Sequence, residues 1–417
     1  SSRRRHTRSL CDWSSDVCSS DLKNKSGDIS NINNYRPIAI ACVVSKILET
    51  ILLSRCEHYL STTDYQFGFK SKHSTDMCIY ILKEVIHFYR SQGSPVFLCS
   101  LDASKAFDRV NHDKLFSILL QRHVPKFIVR ILCIWYSGQQ LIVKWGSCLS
   151  TPFKVSNGVR QGGILSPRLF NVYVDDLSKL LKESHVGCNI SGSMFNHLMY
   201  ADDMLLLCPS AKALQKLINI CCEYASENDI LFNADKTCCV LFQSNSLRLS
   251  SIPNIYLNGS VLKFVDSFKY LGVFLCASGK DNEDIQRQIR AFYIQANTLM
   301  RKFYNCSYHV KIMLFNSYCS TMYCSPMWTI FNKSSIDKLR IGYNNAFRRL
   351  FGYARDCSAS NMFVSNRVNT FDSLWRKQIF SCRSRLETSL NSLVKCIHNS
   401  DVYYTSLIQK HWCQLLY

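Results

Sequence analysis

Two adjacent carboxylates lie between two apolar runs near the middle of the chain. The tetrapeptide Tyr200-Ala201-Asp202-Asp203 separates residues 195–199 from residues 204–208, and each run is long enough for a strand, so a tight hairpin is predicted. Neighbouring carboxylates repel each other, and a half-buried pair keeps both charges only where cations neutralise it. Mg²⁺, which binds one or two carboxylates together with substrate phosphates, suits such a site. A solvated turn without a ligand is the alternative interpretation.

A third carboxylate follows a separate apolar run. Residues 95–101 have the composition of a strand that delivers Asp102 at its end. Three carboxylates from a strand end and a hairpin can gather around two cations, and two ions roughly 3.5–4 Å apart serve in-line phosphoryl transfer. One ion activates the attacking oxygen and the other stabilises the leaving oxygen. Nucleotidyl transfer is therefore the predicted reaction class.

The elements that must position these acids follow from hydrophobic periodicity and turn residues. Strands and helices mix without a βαβ repeat, which predicts the α+β class. A strong turn signal at Asn258-Gly259 predicts a further hairpin. The spacing of apolar residues predicts helices over 47–60, 75–90, 113–122, 126–136, 165–181, 211–227 and 282–304.

Several further motifs accompany the carboxylates in a definite order. They are Asn34-Tyr35-Arg36-Pro37-Ile38, Ser45-Lys46, Gln66-Phe67-Gly68-Phe69-Lys70, Asp102 with Phe107, residues 157–167 around Gln161-Gly162, Asn233-Ala234-Asp235-Lys236-Thr237, and Phe268-Lys269-Tyr270-Leu271-Gly272. With Tyr-Ala-Asp-Asp, this series resembles reverse transcriptases, and in particular the LINE-type enzymes of non-LTR retrotransposons. The resemblance runs from about residue 28 to about residue 363. Agreement of several blocks in order makes a chance match a poor explanation.

The resemblance implies a right-hand polymerase fold with helical fingers, an antiparallel-sheet palm and a helical thumb. By the same resemblance, Asp102, Asp202 and Asp203 would hold two Mg²⁺ ions, with Mn²⁺ as a substitute. Lys236 would donate a proton to the departing pyrophosphate. A solvated surface lysine is the alternative for Lys236.

The resemblance also implies a nucleotide pocket. Arg36 and Lys46 would clamp the triphosphate, although either could be an ordinary surface cation. Phe107 would act as a steric gate that excludes the ribose 2′-hydroxyl and so selects dNTPs, and the alternative is a core aromatic. Gln161 and Gly162 would contact the incoming nucleotide. The implied primer grip consists of Lys269, Tyr270, Leu271 and Gly272.

The implied function is RNA-directed DNA synthesis on an RNA template, from a DNA primer or nicked target DNA, in target-primed retrotransposition. An endonuclease domain is not recognisable, so the chain is expected to be a fragment. An RNA-dependent RNA polymerase, an intron maturase and an inactive or domesticated nucleic-acid-binding scaffold are the alternatives. The resemblance implies a ribonucleoprotein in nucleus and cytoplasm, and the oligomeric state stays open.

Bulk composition agrees with a polyanionic partner. The 417 residues carry a formal charge of +20, and cations that neutralise phosphates release counterions on binding. The basic residues are spread along the chain, which disfavours a membrane-surface helix. The 22 cysteines sit largely in apolar runs and are expected to be reduced core thiols. The uncharged stretch 312–332 contains polar residues and a proline, so a buried helix and turn are expected there.

Five segments are expected along the chain. Residues 1–22 lack apolar periodicity and look like translated adapter sequence, so they are set apart from the fold. Residues 23–95 are expected to form fingers, 96–280 a palm, and 281–365 a thumb with further helices. Residues 366–417 form an extension to which the sequence assigns no role.

Overall fold

The computed structural model describes residues 15–22, 27–31, 34–145, 147–244, 249 and 251–416, without the side chains of residues 15–22, 36 and 37. Its helices are α1 Val43–Cys56, α2 Thr75–Ser91, α3 His112–Gln121, α4 Lys126–Ser137, α5 Ser166–Glu183, α6 Ala211–Glu227, α7 Asn282–Phe303, α8 Tyr308–Tyr318, α9 Lys333–Phe351, α10 Ala359–Ser365, α11 Phe371–Glu387, α12 Ser392–His398, α13 Asp401–Thr405 and α14 Leu407–Leu416. Short 3-10 helices cover Ala106–Arg109 and Ser325–Met327.

The strands are mostly short. They are β1 Ser15–Leu22, β2 Tyr35–Ile40, β3 Val96–Leu101, β4 Gln140–Trp145, β5 Cys148–Leu149, β6 Phe153–Lys154, β7 Cys188–Ile190, β8 Ser193–Phe195, β9 His197–Tyr200, β10 Asp203–Cys208, β11 Cys238–Phe242, β12 Tyr256–Leu257, β13 Ser260–Val261, β14 Lys263–Phe264, β15 Ser267–Tyr270 and β16 Val273–Cys276. With the helices they form the α+β class that the sequence predicts.

The central sheet has the strand order β14-β11-β3-β10-β9, and only its β11–β14 pair is parallel. Its middle strand β3 separates two hydrophobic cores, because successive side chains point to opposite faces of a sheet. Val96 and Leu98 join one core, whereas Phe97, Cys99 and Leu101 join the other. Burial of both faces explains why this strand is a continuous apolar run in the sequence.

Each core is closed by its own set of helices. The first core joins the central sheet to α2, α7, α9, α11 and the helices near the C-terminus. The second core lies on the opposite face and contains the apolar faces of α3 to α6. The central sheet is thus packed between two helical layers, and this packing fixes the positions of its strand ends relative to the helices on either face.

The predicted helices after residue 75 are confirmed to within about two residues, and α6 matches the expected range of 211–227. Helix α1 differs from the expected range of 47–60. It begins at Val43 because the sulfur of Cys42 accepts the Ser45 amide proton as an N-terminal cap. The apolar face predicted for it is largely solvent-exposed at Ile47 and Ile51, while Leu52 is buried.

The outer sheet contains β1, which pairs antiparallel with β2 and parallel with β4. Residues 15–22, set apart from the fold on sequence grounds, therefore form a strand in the structure. Residues 1–14 lie outside the described residues. The origin of the whole 1–22 segment stays a prediction.

The uncharged stretch 312–332 forms the second part of α8 and the turn after it. The expected burial holds for the turn, where Met322, Cys324 and Trp328 are buried, but in α8 only Phe315 is buried.

Within the described residues, no helix combines the length and apolar character needed to cross a bilayer. The described cysteines are free thiols, and many are buried.

Candidate active site

The hairpin between β9 and β10 presents two acids at its tip. Tyr200 and Asp203 are paired across it, so Ala201 and Asp202 form a two-residue turn. Ala201 has a φ of +57°, a left-handed conformation that costs a non-glycine residue roughly 1–2 kcal/mol. Asp202 and Asp203 are exposed, while residues 204–208 behind them are buried. The predicted hairpin is confirmed, and residues 200–203 are called the acid turn below.

Asp102 lies beside the acid turn because β3 and β10 are neighbours. Met204 pairs with Leu101, so the next residues outward, Asp203 and Asp102, extend the same register. The backbone of Asp102 is fixed on its other side, where its amide donates to Thr237 Oγ1 at 3.2 Å and its carbonyl accepts from the Asn233 amide at 2.9 Å.

Lys236 is brought to Asp102 by the same loop. Its Nζ lies 3.8 Å from Asp102 Oδ2, and the two side chains are 65% and 41% exposed. An ion pair this exposed contributes little to stability. The pair instead determines a position, because it places the ammonium group of Lys236 at the edge of the carboxylate cluster.

The three acids suit a hard divalent cation in their donor type and in their position on adjoining strand ends. Among the described residues, however, no three histidine, cysteine or acidic side chains converge closely enough to hold a metal ion. Asp102, Asp202 and Asp203 therefore supply the right oxygen ligands at neighbouring positions without forming a closed coordination sphere.

A buried glutamine holds the backbone of the acid turn. Gln66 Oε1 accepts from the amides of Ala201 at 2.9 Å and Gly68 at 2.8 Å, and its Nε2 donates to the Ala201 carbonyl at 3.3 Å. The flanking Phe67 amide donates to the Met199 carbonyl at 2.8 Å. The left-handed conformation of Ala201 is thus stabilised by side-chain and backbone contacts from a segment 135 residues away.

Gly68 and Asn171 complete this support. A Cβ at Gly68 would overlap the Ala201 backbone nitrogen, so only glycine allows the two chains to approach this closely. The Asn171 side-chain amide donates to the Gly68 carbonyl at 2.7 Å. Sequence reasoning used Gln66 and Gly68 only as motif residues and missed their positioning role. The sequence signal for this positioning role was that Gln66 and Gly68 interrupt an otherwise apolar segment.

Phe107 occupies the 3-10 helix that follows Asp102. Its ring stacks on Phe170 with centroids 4.4 Å apart and planes inclined by 14°, and it is partly exposed. Its carbonyl accepts the Val159 amide at 2.8 Å. The packing on Phe170 fits a core aromatic, and the partial exposure leaves an edge available to a ligand.

Residues 157–163, called the Gln-Gly loop below, lie between this 3-10 helix and β2. Gln161 Nε2 donates to Asp108 Oδ1 at 2.9 Å, and the Gln161 carbonyl accepts from the Ala39 amide at 2.8 Å. Gly162 has a φ of +113°, and a Cβ there would meet the Ala39 carbonyl oxygen at 2.8 Å. Asp108 is thus a structural partner of the loop.

The two predicted triphosphate ligands are placed differently. Arg36 belongs to β2, the strand that also carries Ala39, but its side chain is outside the described part of the structure. Lys46 is exposed on the first turn of α1. Because the Gln161 carbonyl accepts from the Ala39 amide, the Gln-Gly loop adjoins the strand that carries Arg36.

The predicted primer-grip residues form the hairpin between β15 and β16. Lys269 is exposed, but Tyr270 is buried and its hydroxyl lies 3.3 Å from Cys78 Sγ. Burial raises the pKa of Tyr270 well above its usual value. Leu271 and Gly272 form the turn with positive φ, and the hydroxyl of Tyr323 donates to the Leu271 carbonyl at 2.7 Å. Within this hairpin, Lys269 is exposed, the 271–272 turn is partly exposed and Tyr270 is inaccessible to a ligand.

A buried histidine lies on the strand that leads into the acid turn. His197 stacks on Tyr65 at 4.3 Å, and its ring nitrogens contact Ser178 Oγ and Asn196 Oδ1, each at 2.7 Å. Complete burial lowers the pKa of His197 to about 3, so the ring is neutral at physiological pH. Its role is structural rather than catalytic.

A family model described as "Reverse transcriptase (RNA-dependent DNA polymerase)" matches residues 22–275. Among curated proteins, the Pol polyprotein of the type-2 retrotransposable element R2DM of Drosophila melanogaster is 28% identical over 59% of this chain and 24% of its own length. The RNA-directed DNA polymerase from mobile element jockey of Drosophila funebris is 24% identical over 88% of this chain and 41% of its own length. The chain thus spans less than half of the length of these relatives.

Among solved structures, telomerase from Candida tropicalis in complex with a fragment of telomeric RNA aligns with a TM-score of 0.47 at 11% identity. The alignment covers 98% of this chain and 64% of that chain.

Proposed function

Because the chain belongs to the reverse transcriptase (RNA-dependent DNA polymerase) family and its relatives are non-LTR retrotransposon proteins, we propose that it is an RNA-directed DNA polymerase. In this proposal it adds dNTPs to a primer 3′-hydroxyl along an RNA template. The observation that supports it most directly is the register of β3 and β10, which sets Asp102 beside the acid turn.

The proposed chemistry is two-metal nucleotidyl transfer, with Asp102, Asp202 and Asp203 as the ligands of two Mg²⁺ ions or of Mn²⁺. Such ions, when bound, activate the attacking hydroxyl and stabilise charge on the leaving pyrophosphate. Support comes from the three oxygen donors on adjoining strand ends. Lys236, held 3.8 Å from Asp102 Oδ2, is the proposed proton donor to the pyrophosphate.

The proposed nucleotide pocket lies between Phe107 and the Gln-Gly loop. Gln161 and Gly162 would contact the incoming dNTP, while Arg36 and Lys46 would bind its triphosphate. Stacking on Phe170 holds the Phe107 ring in place, which is what a steric gate against a 2′-hydroxyl requires. Replacing Phe107 with valine should increase ribonucleotide incorporation, measured as the ratio of rates with rNTP and dNTP. An unchanged ratio would show that Phe107 is not a steric gate against the ribose 2′-hydroxyl.

The proposed partners are an RNA template, a DNA primer or nicked target DNA, and dNTPs. Target-primed retrotransposition and a ribonucleoprotein in nucleus and cytoplasm are the biological setting that we infer from the relatives. The proposed subdomains are fingers at 23–95, palm at 96–280, thumb and further helices at 281–365, and an extension from 366.

The direct test is primer extension by the full chain on an RNA template with dNTPs and Mg²⁺. The double substitution Asp202→Ala and Asp203→Ala should reduce extension to the background level. As a matched control, Asp113→Ala with Asp401→Ala removes two exposed carboxylates elsewhere and should leave extension intact.

Two outcomes would contradict the proposal. A folded wild-type chain that binds template and primer without extending them would be a nucleic-acid-binding scaffold instead of a polymerase. Equal extension by the Asp202/Asp203 double variant and the wild type would show that the acid turn is not the active site.

A further inference from the structure

The C-terminal residues are an integral part of the fold and contact α2, the segment before α2 and the turn after α8. The Asn391 side-chain amide donates to the Asp64 carbonyl at 2.8 Å, and Ser406 Oγ donates to the buried Glu84 carboxyl at 2.6 Å. The Trp412 indole donates to the Pro326 carbonyl at 2.7 Å. Helix α11 is fixed by its own contacts, because the Trp375 indole donates to the Ser325 carbonyl at 3.3 Å and the Gln378 side-chain amide donates to the Ser320 carbonyl at 3.1 Å.

A polar groove opens between α11 and the segment after α8. One wall consists of α11 side chains that include Lys377, Ser381 and Arg385, which are spaced by four residues and so share one helix face. Asp76 on α2 and Arg367, which follows α10, also line the groove. This C-terminal groove has a volume of about 580 Å³ and is lined by residues 76, 316, 320–324, 326, 367–369, 374, 377, 378, 381 and 385.

The lining of the C-terminal groove carries an excess of positive charge. Its cations are Arg367, Lys377 and Arg385, whereas its only acid is Asp76, which pairs with Arg385 at 2.5 Å. Arg367 and Lys377 are exposed, and neither forms an ion pair with a carboxylate among the described residues. The rest of the lining is rich in hydroxyl and amide groups. Such a surface matches a sugar-phosphate backbone better than an apolar ligand.

One side chain, Tyr323, connects the C-terminal groove to the proposed primer grip. Tyr323, which lines the groove, donates its hydroxyl proton to the Leu271 carbonyl and lies 2.8 Å from the Thr75 hydroxyl. A Cβ at Gly272 would meet the Tyr323 ring at 3.1 Å. The 271–272 turn and the C-terminal groove therefore lie on either side of the Tyr323 side chain.

We propose that the C-terminal groove binds the phosphodiester backbone of a nucleic-acid strand, with Arg367 and Lys377 as the phosphate ligands. The extension would then form part of the nucleic-acid-binding surface. The inference rests on the proposed function for its physiological ligand, but binding can be measured without any catalysis. The bound strand would be either the primer DNA or the RNA template, because both present the same phosphodiester chemistry.

The first test measures the affinity of the full chain for fluorescent DNA and RNA oligonucleotides of equal length, by anisotropy at several salt concentrations. Removing two phosphate contacts with Arg367→Gln and Lys377→Gln should reduce the slope of log K against log salt by about 1.4 for single strands. The matched control, Arg376→Gln with Lys395→Gln, removes the same charge from exposed positions outside the groove and should leave the slope unchanged. Equal slopes for both double variants would overturn the proposal.

The second test uses the wild-type chain, so it does not depend on the folding of a variant. Lys377 should be protected from acetylation when an oligonucleotide is bound, whereas Lys395 should stay reactive, as measured by mass spectrometry of peptides. Protection by DNA alone would assign the groove to the primer, and protection by RNA alone would assign it to the template. Unprotected Lys377 at saturating oligonucleotide would overturn the proposal. A wild-type chain that shows protected Lys377 but does not extend a primer would instead contradict the polymerase function.

Discussion

The acid turn and the Gln-Gly loop, which the proposed function assigns to one active site, are held in different ways. The acid turn is fixed by the buried side chain of Gln66, which makes three hydrogen bonds to Ala201 and Gly68. The Gln-Gly loop is held by backbone bonds, by the buried imidazole of His112, which contacts the Gly158 carbonyl at 2.8 Å, and, at Gln161, by a partly exposed side chain. Metal ligands need a fixed backbone, because small displacements change the site geometry. Gln161, which the proposal sets against the exchanging dNTP, makes one side-chain hydrogen bond and is less restrained than Gln66.

Of the changes in the acid turn and the Gln-Gly loop, Gln66→Ala is predicted to cause the largest loss of stability. This change leaves the buried amides of Ala201 and Gly68 without their acceptor, and each unsatisfied group costs about 1–3 kcal/mol. We expect the free energy of unfolding to fall by about 2–5 kcal/mol, measured by urea denaturation. A loss well below 1 kcal/mol would show that the acid turn is not fixed by this side chain.

A smaller loss is expected for Gly68→Ala. The new Cβ would overlap the Ala201 backbone nitrogen, and overpacking of this kind costs about 1–3 kcal/mol. Displacement of Ala201 should also raise the Mg²⁺ concentration needed for half-maximal primer extension. The control is Gly138→Ala, where a Cβ would lie 3.3 Å from the Ile134 carbonyl and φ is −89°, so a much smaller change is expected. Equal losses at the two glycines would contradict this explanation.

The buried imidazole of His197 gives the acid-turn region a pH dependence. The pKa of His197 is lowered to about 3 in the folded chain, so below the usual value of about 6.5 the unfolded chain binds one more proton. Stability should therefore fall as the pH decreases from about 6.5 towards 3, by up to about 1.4 kcal/mol per pH unit.

The contribution of His197 to the pH dependence of stability can be isolated by measuring denaturation midpoints of the wild type and of His197→Gln across that pH range and taking their difference. The difference also removes the opposite effect of Glu84, whose pKa is raised to about 8 by burial. As a control, the exposed His185→Gln should reproduce the wild-type profile. A His197→Gln profile parallel to that of the wild type would show that His197 does not titrate as its burial requires.

The smallest stability effect is expected for Gln161→Ala in the Gln-Gly loop. The side chain is partly exposed, so water can replace it as a partner of Asp108, and the loss should be under about 0.5 kcal/mol. In the proposed polymerase, the same change should raise the KM for dNTP more than it lowers kcat. A loss of stability as large as that of Gln66→Ala would abolish the distinction between the two regions.

Much of the local structure could be predicted from the sequence. The apolar runs beside Asp102 and the acid turn became strands, and the periodicity of residues 211–227 gave the bounds of α6. Helix α1 was predicted less well, because its start depends on the Cys42 cap and its apolar residues are left exposed. Hydrophobic spacing indicates that a helix forms, but not which of its faces is buried.

The sequence by itself determined six helices between residues 75 and 304, the strands that flank the predicted acids, the order of the motifs and the types of the side chains that could bind cations and nucleotides. Only the tertiary structure decided that Gln66 supports Ala201, that Lys236 faces Asp102, and that α11 forms a groove beside the 271–272 turn. Helical and strand periodicity, like turn chemistry, depends on residues close together in the chain. These three contacts join residues far apart in the sequence, so they depend on strand order and helix packing.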